Sequence, residues 1–322
     1  SHFLNWDDRI VPRYQRVAEL VHEFPVPVMA QLTHRGRAAG VRQRDMLEGD
    51  WLSIAPSAIP TPAFGYFQAM PHEMSTGEVE DIVAAFGQAS ARVRSGGLDG
   101  VEIIVGYGAL ISQFLHSQSN RRTDKYGGAT VQERMTFLYE VLCAVREALG
   151  PDLLLGVRLS DDLVTYSIDY EDSKTMAPLL EATGLLDYVN VWISAFPDGA
   201  ATRAHWPPYY HQPGEFAERS AGIKELVGLP VIGIGRINTP SLAEQMIAQG
   251  ASTKLLIRVA SRWSKRDGLA ALAWLSGFEE TPDQQHAVRR SFNNFHLGNL
   301  LVAEPWLLGQ GDATFTWLAP AS

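Results

Sequence analysis

The sequence Asp99-Gly100-Val101-Glu102-Ile103 leads through a glycine-rich bend into Asn120-Arg121-Arg122-Thr123-Asp124-Lys125-Tyr126-Gly127-Gly128. An apolar strand thus runs into a long polar loop, and a helix follows at once. In a parallel α/β fold, such a loop lies at the carboxyl end of the sheet, where ligands bind. This stretch therefore predicts a parallel sheet and indicates the edge at which to look for a site.

The rest of the chain repeats this alternation of apolar strands and amphipathic helices. Nearly continuous apolar runs are expected for strands that are covered on both faces. Such runs occupy residues 27–32, 100–105, 153–160, 188–193, 230–234 and 254–259. Helix starts are predicted between them by Ser75 with Glu78 and by Thr239 before Pro240. The repetition predicts a parallel sheet with right-handed crossovers, and it is compatible with a closed (β/α)8 barrel or an open doubly wound sheet.

Composition excludes several classes of protein. The formal charge of −9 argues against a nucleic-acid partner, because phosphate binding needs a basic surface. No apolar run approaches the roughly 20 residues of a membrane-spanning helix, and the amino end lacks the pattern of a signal peptide. The single cysteine, Cys143, excludes an intrachain disulfide and any four-cysteine iron–sulfur or zinc site encoded by this chain. A cytoplasmic location is expected.

Residues 99–128 resemble the old yellow enzyme family of flavin barrels, especially its trimethylamine dehydrogenase and 2,4-dienoyl-CoA reductase branch. The resemblance covers residues 5 to 260 and implies a (β/α)8 TIM barrel that binds FMN. It divides the chain into a barrel, residues 1–262, and a carboxyl-terminal extension, residues 263–322. Six strands are visible where eight are needed. The family's first two strands are therefore expected to be missing or to come from the carboxyl-terminal segment.

Two side chains are expected to meet the flavin ring. The resemblance assigns Gln31, at the end of the first visible strand, to the pyrimidine edge, and an amide offers both a donor and an acceptor there. The alternative is that Gln31 only caps the strand. Arg158 ends an apolar strand, and a buried guanidinium must be paired or bind an anion. The resemblance puts Arg158 beside flavin N1, whereas the alternative is an internal salt bridge, for example with Glu102.

The flavin phosphate is expected at the ends of the last two strands. Gly233, Gly235 and Arg236 follow the next-to-last strand, and glycines let backbone N–H groups approach a phosphate. In the last strand the resemblance suggests Arg258, with Arg262 as the alternative. The glycine that precedes the family's phosphate arginine is missing from this chain.

The catalytic positions differ from those of the family's reductases. The resemblance aligns their histidine pair and tyrosine with Ile104, Tyr107 and Ala109. Ile104 cannot donate a hydrogen bond to a carbonyl oxygen, which argues against enone reduction, whereas Tyr107 could donate to or orient an amine. The resemblance also puts Asp198 and His205 in a loop over the flavin, although packing of aromatic residues explains that loop equally well. No metal site is expected, because the histidines lack the short paired spacing of a zinc motif.

Three functions follow from these observations. The first is an FMN-dependent oxidoreductase of the amine dehydrogenase or N-demethylase type, without an iron–sulfur cluster. The second is an NAD(P)H-dependent ene-reductase of the same family. The third is a flavin-free barrel that acts as a binding or assembly subunit. The expected partners are a small-molecule amine or enone and an electron-acceptor protein, and a homo-oligomer is left open.

Overall fold

The computed structural model describes residues 4–24, 26–39, 53–60, 70–162, 168–194 and 212–248. The chain divides into two compact units, Ser1–Gly235 and Arg236–Ser322. The expected domain boundary at residue 262, the strand predicted at 254–259 and the carboxyl-terminal segment all lie outside the described residues. They stay predictions.

The described strands are β1 (Met29–Leu32), β2 (Ile54–Ala55), β3 (His72–Glu73), β4 (Gly100–Ile104), β5 (Leu154–Asp162), β6 (Tyr188–Ser194) and β7 (Val231–Gly233). Five of them form one sheet in the order β1-β4-β5-β6-β7, and every neighbouring pair in it is parallel. The short strands β2 and β3 pair with each other in a separate ladder. The predicted parallel sheet is therefore confirmed, together with five of its strands.

The helices of the first unit are α1 (Val11–His22), α2 (Thr76–Ser95), α3 (Leu110–Leu115), α4 (Thr136–Leu149), α5 (Tyr170–Ala182) and α6 (Ala217–Lys224). The described part of the second unit holds α7 (Pro240–Ala248). The predicted cap of α2 is confirmed, since the backbone N–H of Glu78 donates to Ser75 Oγ and that of Ser75 donates to Glu78 Oε2. None of the helices in the described ranges has the length and apolarity needed to cross a membrane.

The two faces of the sheet differ in chemistry. Side chains alternate between the faces along each strand, and strand register therefore decides which residues share a face. One face is apolar and joins the same buried core as the helices; its residues are Leu32, Val101, Ile103, Leu155, Val157, Leu159, Val189, Val191 and Val231. The opposite face, called the polar face below, carries Gln31, Glu102, Arg158, Tyr188, Asn190 and Trp192. The polar face is where a ligand site can form.

Candidate functional site

Glu102 is the centre of a hydrogen-bond network on the polar face. Its side chain lies on β4 and is buried, at 8% exposure. The Gln31 amide nitrogen on β1 donates to Glu102 Oε1 at 2.6 Å. From β6, the Tyr188 hydroxyl and the Asn190 amide nitrogen donate to Glu102 Oε2 at 3.1 and 2.9 Å. One carboxylate thus connects side chains from three strands.

Gly156 makes room for this network. It lies on β5, in register with Glu102 on one side and Tyr188 on the other. A Cβ atom on Gly156 would lie 2.1 Å from Tyr188 Cζ, so the tyrosine ring occupies the space above the glycine. The ring can therefore cross β5 and reach the carboxylate. Burial and the charge of Glu102 raise the pKa of Tyr188 far above its ordinary value, which keeps its hydroxyl protonated as a donor.

Arg158 stacks on an aromatic ring and retains an unused donor. Its guanidinium carbon lies 3.6 Å from the centre of the Trp192 ring, a cation–π distance. Burial lowers the pKa of Arg158, and the charge of Glu102 partly offsets this effect. Within the described part of the chain, Arg158 forms no salt bridge with Glu102, so that alternative is wrong. Its Nε atom is buried without a hydrogen-bond partner.

Two further atoms on the polar face are buried without a hydrogen-bond partner, like Arg158 Nε. They are Asn190 Oδ1 and Ser160 Oγ. Leaving a buried polar atom unpaired costs about 1–3 kcal/mol, so such atoms are normally satisfied by a ligand or water. The pyrimidine edge of a flavin alternates carbonyl acceptors with an N–H donor. A face with unused donors and acceptors fits such an edge.

Tyr107 approaches the same place from the carboxyl end of β4. Its backbone has φ of 69°, a left-handed conformation that is rare for a residue other than glycine. Its ring centre lies 5.5 Å from that of Trp192. Three predicted site residues, Gln31, Arg158 and Tyr107, therefore lie on or beside the polar face. Ile104, in register with Arg158, is buried and offers no polar group.

The predicted phosphate residues are only partly described. Gly233 is the buried last residue of β7, and Gly235 has φ of 122°, which favours glycine. Arg236 has φ of 42° and belongs to the second unit. Arg258 and Arg262 lie outside the described residues, as do Asp198 and His205. The roles of these residues stay predictions.

The loop 120–128 has a structural part. The Asn120 amide nitrogen donates to the carbonyl oxygens of Phe114 and Tyr126, both at 2.7 Å. Its Oδ1 atom accepts from the backbone N–H of Arg122 at 3.0 Å. The Arg122 guanidinium in turn binds Asp124 and the carbonyl oxygen of Pro56. The residues that carry the family resemblance therefore hold the loop together.

Sequence reasoning missed most of the network on the polar face. Glu102 was considered only as a salt-bridge partner of Arg158, and the interactions of Tyr188, Asn190 and Trp192 were not predicted. A signal exists in the period of two along Tyr188-Val189-Asn190-Val191-Trp192, where apolar β-branched residues alternate with polar or amphipathic ones. In the described ranges no group of three or more His, Cys, Asp or Glu side chains could hold a metal ion.

Comparison with known proteins finds a family of flavin oxidoreductases and relatives that are named as oxidoreductases. A model of the NADH:flavin oxidoreductase / NADH oxidase family matches residues 3–260. A metal reductase of Desulforamulus reducens is 38% identical over 76% of this chain and 35% of that protein. An N,N-dimethylglycine/sarcosine dehydrogenase of Chromohalobacter salexigens is 33% identical over 76% and 34%. A multifunctional alkene reductase/demethylase of Caballeronia cordobensis is 32% identical over 76% and 34%. The chain thus spans about a third of the length of these curated relatives.

A solved structure supports the architecture. Histamine dehydrogenase from Rhizobium sp. 4-9 superposes with a TM-score of 0.66 at 23% identity, over 76% of this chain and 34% of that one. With the parallel strand order, this likeness confirms the predicted TIM-barrel class. At this identity the superposition bears on the fold alone.

Proposed function

Because the chain belongs to the NADH:flavin oxidoreductase / NADH oxidase family, we propose that it is an FMN-dependent oxidoreductase. The proposed reaction oxidises a C–H bond next to nitrogen, as in an amine dehydrogenase or an N-demethylase. FMN, when bound, would supply the hydride acceptor of this reaction at its N5 atom. The substrate would be a small amine, and a diffusible acceptor or a partner protein would remove the electrons.

The observation that carries the proposal is the unused Nε donor of Arg158. A half-buried cation with a buried, free Nε donor suits the flavin N1 and C2 carbonyl region, where negative charge collects on reduction, so Arg158 would stabilise the reduced cofactor electrostatically. The Trp192 ring holds the guanidinium from one side. Gln31, on the same face, would bind the pyrimidine edge, and Gly233, Gly235, Arg236 and Arg258 are proposed for the phosphate.

Amine oxidation is favoured by the residues near Arg158. Ile104 is aliphatic and buried, so it cannot polarise the carbonyl group of an enone. The rings of Tyr107 and Trp192 can attract a substituted ammonium group, an interaction of about 0.5–2 kcal/mol. A relative named as an N,N-dimethylglycine/sarcosine dehydrogenase supports the same class. Tyr107, Asp198 and His205 are proposed to orient the substrate or move its proton.

Ene-reduction is the second candidate. It is supported by a relative whose name includes alkene reductase as well as demethylase. An NAD(P)H-dependent ene-reductase would use the same flavin residues and a different substrate pocket. The two candidates therefore differ in the compound that reduces the cofactor.

The test begins with the purified 322-residue chain titrated with FMN, then mixed without oxygen with N,N-dimethylglycine or with NADPH. We expect a yellow complex absorbing near roughly 450 nm that the amine bleaches. Bleaching by NADPH alone would select the ene-reductase, and absence of FMN binding would overturn both candidates in favour of a binding subunit.

A pair of variants tests the site itself. Arg158→Ala should weaken FMN binding by about tenfold or more, the effect of losing a hydrogen bond to a charged group. The control is Arg9→Ala, whose side chain is 83% exposed beside Asp7 and should leave FMN affinity unchanged. Equal FMN affinity in Arg158→Ala and the wild type would remove Arg158 from the site.

A further inference from the structure

We propose that Glu102 is a positioning residue, which fixes the carboxamides of Gln31 and Asn190 so that their oxygens face the ligand as acceptors. This inference rests on the proposed FMN site and deepens it. It defines the ligand as a ring that carries an N–H donor between carbonyl acceptors, the cyclic imide of the flavin pyrimidine edge. Glu102 itself acts through the two carboxamides.

Both amide nitrogens bind the same carboxylate. Gln31 Nε2 and Asn190 Nδ2 lie 2.6 and 2.9 Å from the oxygens of the same carboxylate. A carboxamide has its donors on one end and its acceptor on the other. When the nitrogen end faces Glu102, the oxygen end must face elsewhere. The carboxylate therefore selects one of the two orientations for each amide.

The oxygens of the two carboxamides are left available for a ligand. Asn190 Oδ1 is buried and has no hydrogen-bond partner. Gln31 is exposed, and no hydrogen bond from a described group reaches its Oε1 atom, which stays open to a ligand. The buried Asn190 acceptor is costly unless a ligand supplies a donor. The two fixed amides thus leave acceptor capacity on the polar face for an incoming N–H group.

Glu102 is itself held in place by several hydrogen bonds. Its Oε2 atom also accepts from the Tyr188 hydroxyl at 3.1 Å, so three donors from two strands hold one carboxylate. The tyrosine reaches it only because Gly156 has no side chain. A side chain held by three hydrogen bonds has little freedom to rotate. Glu102 can therefore determine the orientation of the Gln31 and Asn190 carboxamides, each of which it binds through one hydrogen bond.

The hydrogen-bonding groups of the polar face are complementary to those of an imide edge. Arg158 Nε is an unused donor on the same face, next to Asn190 in the strand register. The face thus combines acceptors from the amides with a donor from the guanidinium. An imide edge needs both, because its N–H requires an acceptor and its carbonyl oxygens require donors. If an amide turned over, its NH2 group would oppose the ring N–H, and the match would be lost.

The test is a double-mutant cycle on FMN affinity, measured by quenching of flavin fluorescence in the full chain. Glu102→Gln keeps the size and shape of the side chain, but it replaces one acceptor oxygen with an NH2 group. That NH2 group cannot accept a hydrogen bond from the facing amide nitrogen, so the amide is free to turn over. We expect about tenfold weaker FMN binding for Glu102→Gln. In a Gln31→Ala background the same substitution should weaken binding by only about threefold, because only the route through Asn190 remains and residues that act through one another are not additive.

A matched control removes a similar interaction elsewhere. Glu140 lies in α4, off the polar face, and accepts a hydrogen bond from the Tyr126 hydroxyl at 2.8 Å. Glu140→Gln should leave FMN affinity unchanged. If Glu102→Gln unfolds the protein, Tyr188→Phe replaces it in the cycle, since it removes one donor to Glu102 and keeps the ring above Gly156.

A second readout follows the ligand. With 15N-labelled FMN, exchange of the N3 proton with solvent should be slower in the wild type than in Glu102→Gln. Equal weakening by Glu102→Gln in both backgrounds, or equal N3 exchange, would show a merely structural role and overturn the inference. Failure of the wild type to bind FMN would instead overturn the proposed function, and this inference with it.

Discussion

The amide nitrogen of Gln31 lies 2.6 Å from Glu102 Oε1, although 71 positions separate the two residues in the sequence. They are direct partners in the register between β1 and β4. Their hydrogen bond is thus a consequence of parallel strand pairing. It joins the amide that is predicted to bind flavin to a carboxylate for which the sequence suggests only a salt bridge with Arg158.

Gly156→Ala should disrupt the hydrogen bonds around Glu102 by displacing the Tyr188 ring. The new Cβ would lie 2.1 Å from Tyr188 Cζ, so the ring must move away from Glu102. We expect a loss of about 1–3 kcal/mol in the free energy of unfolding, typical of overpacking, together with weaker FMN binding. Urea denaturation and an FMN titration measure the two effects.

Gly77→Ala is the control for this substitution. Gly77 lies in the first turn of α2, and a Cβ there would meet no atom within 4 Å. It should be neutral or stabilising by up to about 1 kcal/mol, because alanine is the better helix former. Similar unfolding energies for the two alanine variants would contradict the assigned role of Gly156.

The backbone conformation of Tyr107 should cost stability. With φ of 69°, Tyr107 adopts a conformation that costs about 1–2 kcal/mol for a residue with a Cβ atom. Tyr107→Gly and Tyr107→Ala both remove the ring contact with Trp192, but only glycine relieves the strain. The glycine variant should therefore be more stable than the alanine variant by about 1 kcal/mol in thermal or chemical unfolding. A more stable alanine variant would exclude the left-handed conformation.

Asn120→Asp should destabilise the loop 120–128. An oxygen would replace the nitrogen that donates to the carbonyl oxygens of Phe114 and Tyr126. Two buried acceptors would lose their donor, at a cost of about 2–4 kcal/mol in unfolding free energy. Asn238→Asp, at an exposed position, should change stability by less than about 0.5 kcal/mol. If Asn120→Asp abolished activity at unchanged stability, Asn120 would be catalytic and not structural.

His34 should make stability depend on pH. Burial lowers the pKa of His34 below its ordinary 6.5, so the folded protein favours the neutral ring. The unfolded chain takes up the proton first as the pH falls. Stability from this group is therefore fully present above 6.5 and is lost as the pH falls toward the folded-state pKa.

His34→Asn isolates the effect. His34 Nδ1 accepts from the backbone N–H of Gly36 at 3.0 Å, and an asparagine oxygen offers a similar acceptor without titrating. As the pH falls from about 7 to about 5, the wild type should lose more unfolding free energy than the variant. His116, whose pKa is lowered by burial and by Arg134 and Arg37, is present in both proteins and cancels. Parallel stability curves would contradict the assignment.

Much of the fold could be predicted because its causes are local. Continuous apolar runs predicted five of the strands, and the Ser75–Glu78 cap predicted the start of α2. The family resemblance located Gln31 and Arg158, which proved to share the polar face. The role of Glu102 could not be read in this way, since its three donors come from β1 and β6 and lie 71 to 88 positions away.

By itself, the sequence determined the alternation of strands and helices, the parallel sheet and the membership of a flavin enzyme family, because periodicity, capping and motif are properties of neighbouring residues. Only the tertiary structure decided that one glutamate accepts hydrogen bonds from two carboxamides and that a glycine lets a tyrosine cross a strand. Those contacts depend on register, and in a sheet a shift of one residue moves every side chain to the opposite face.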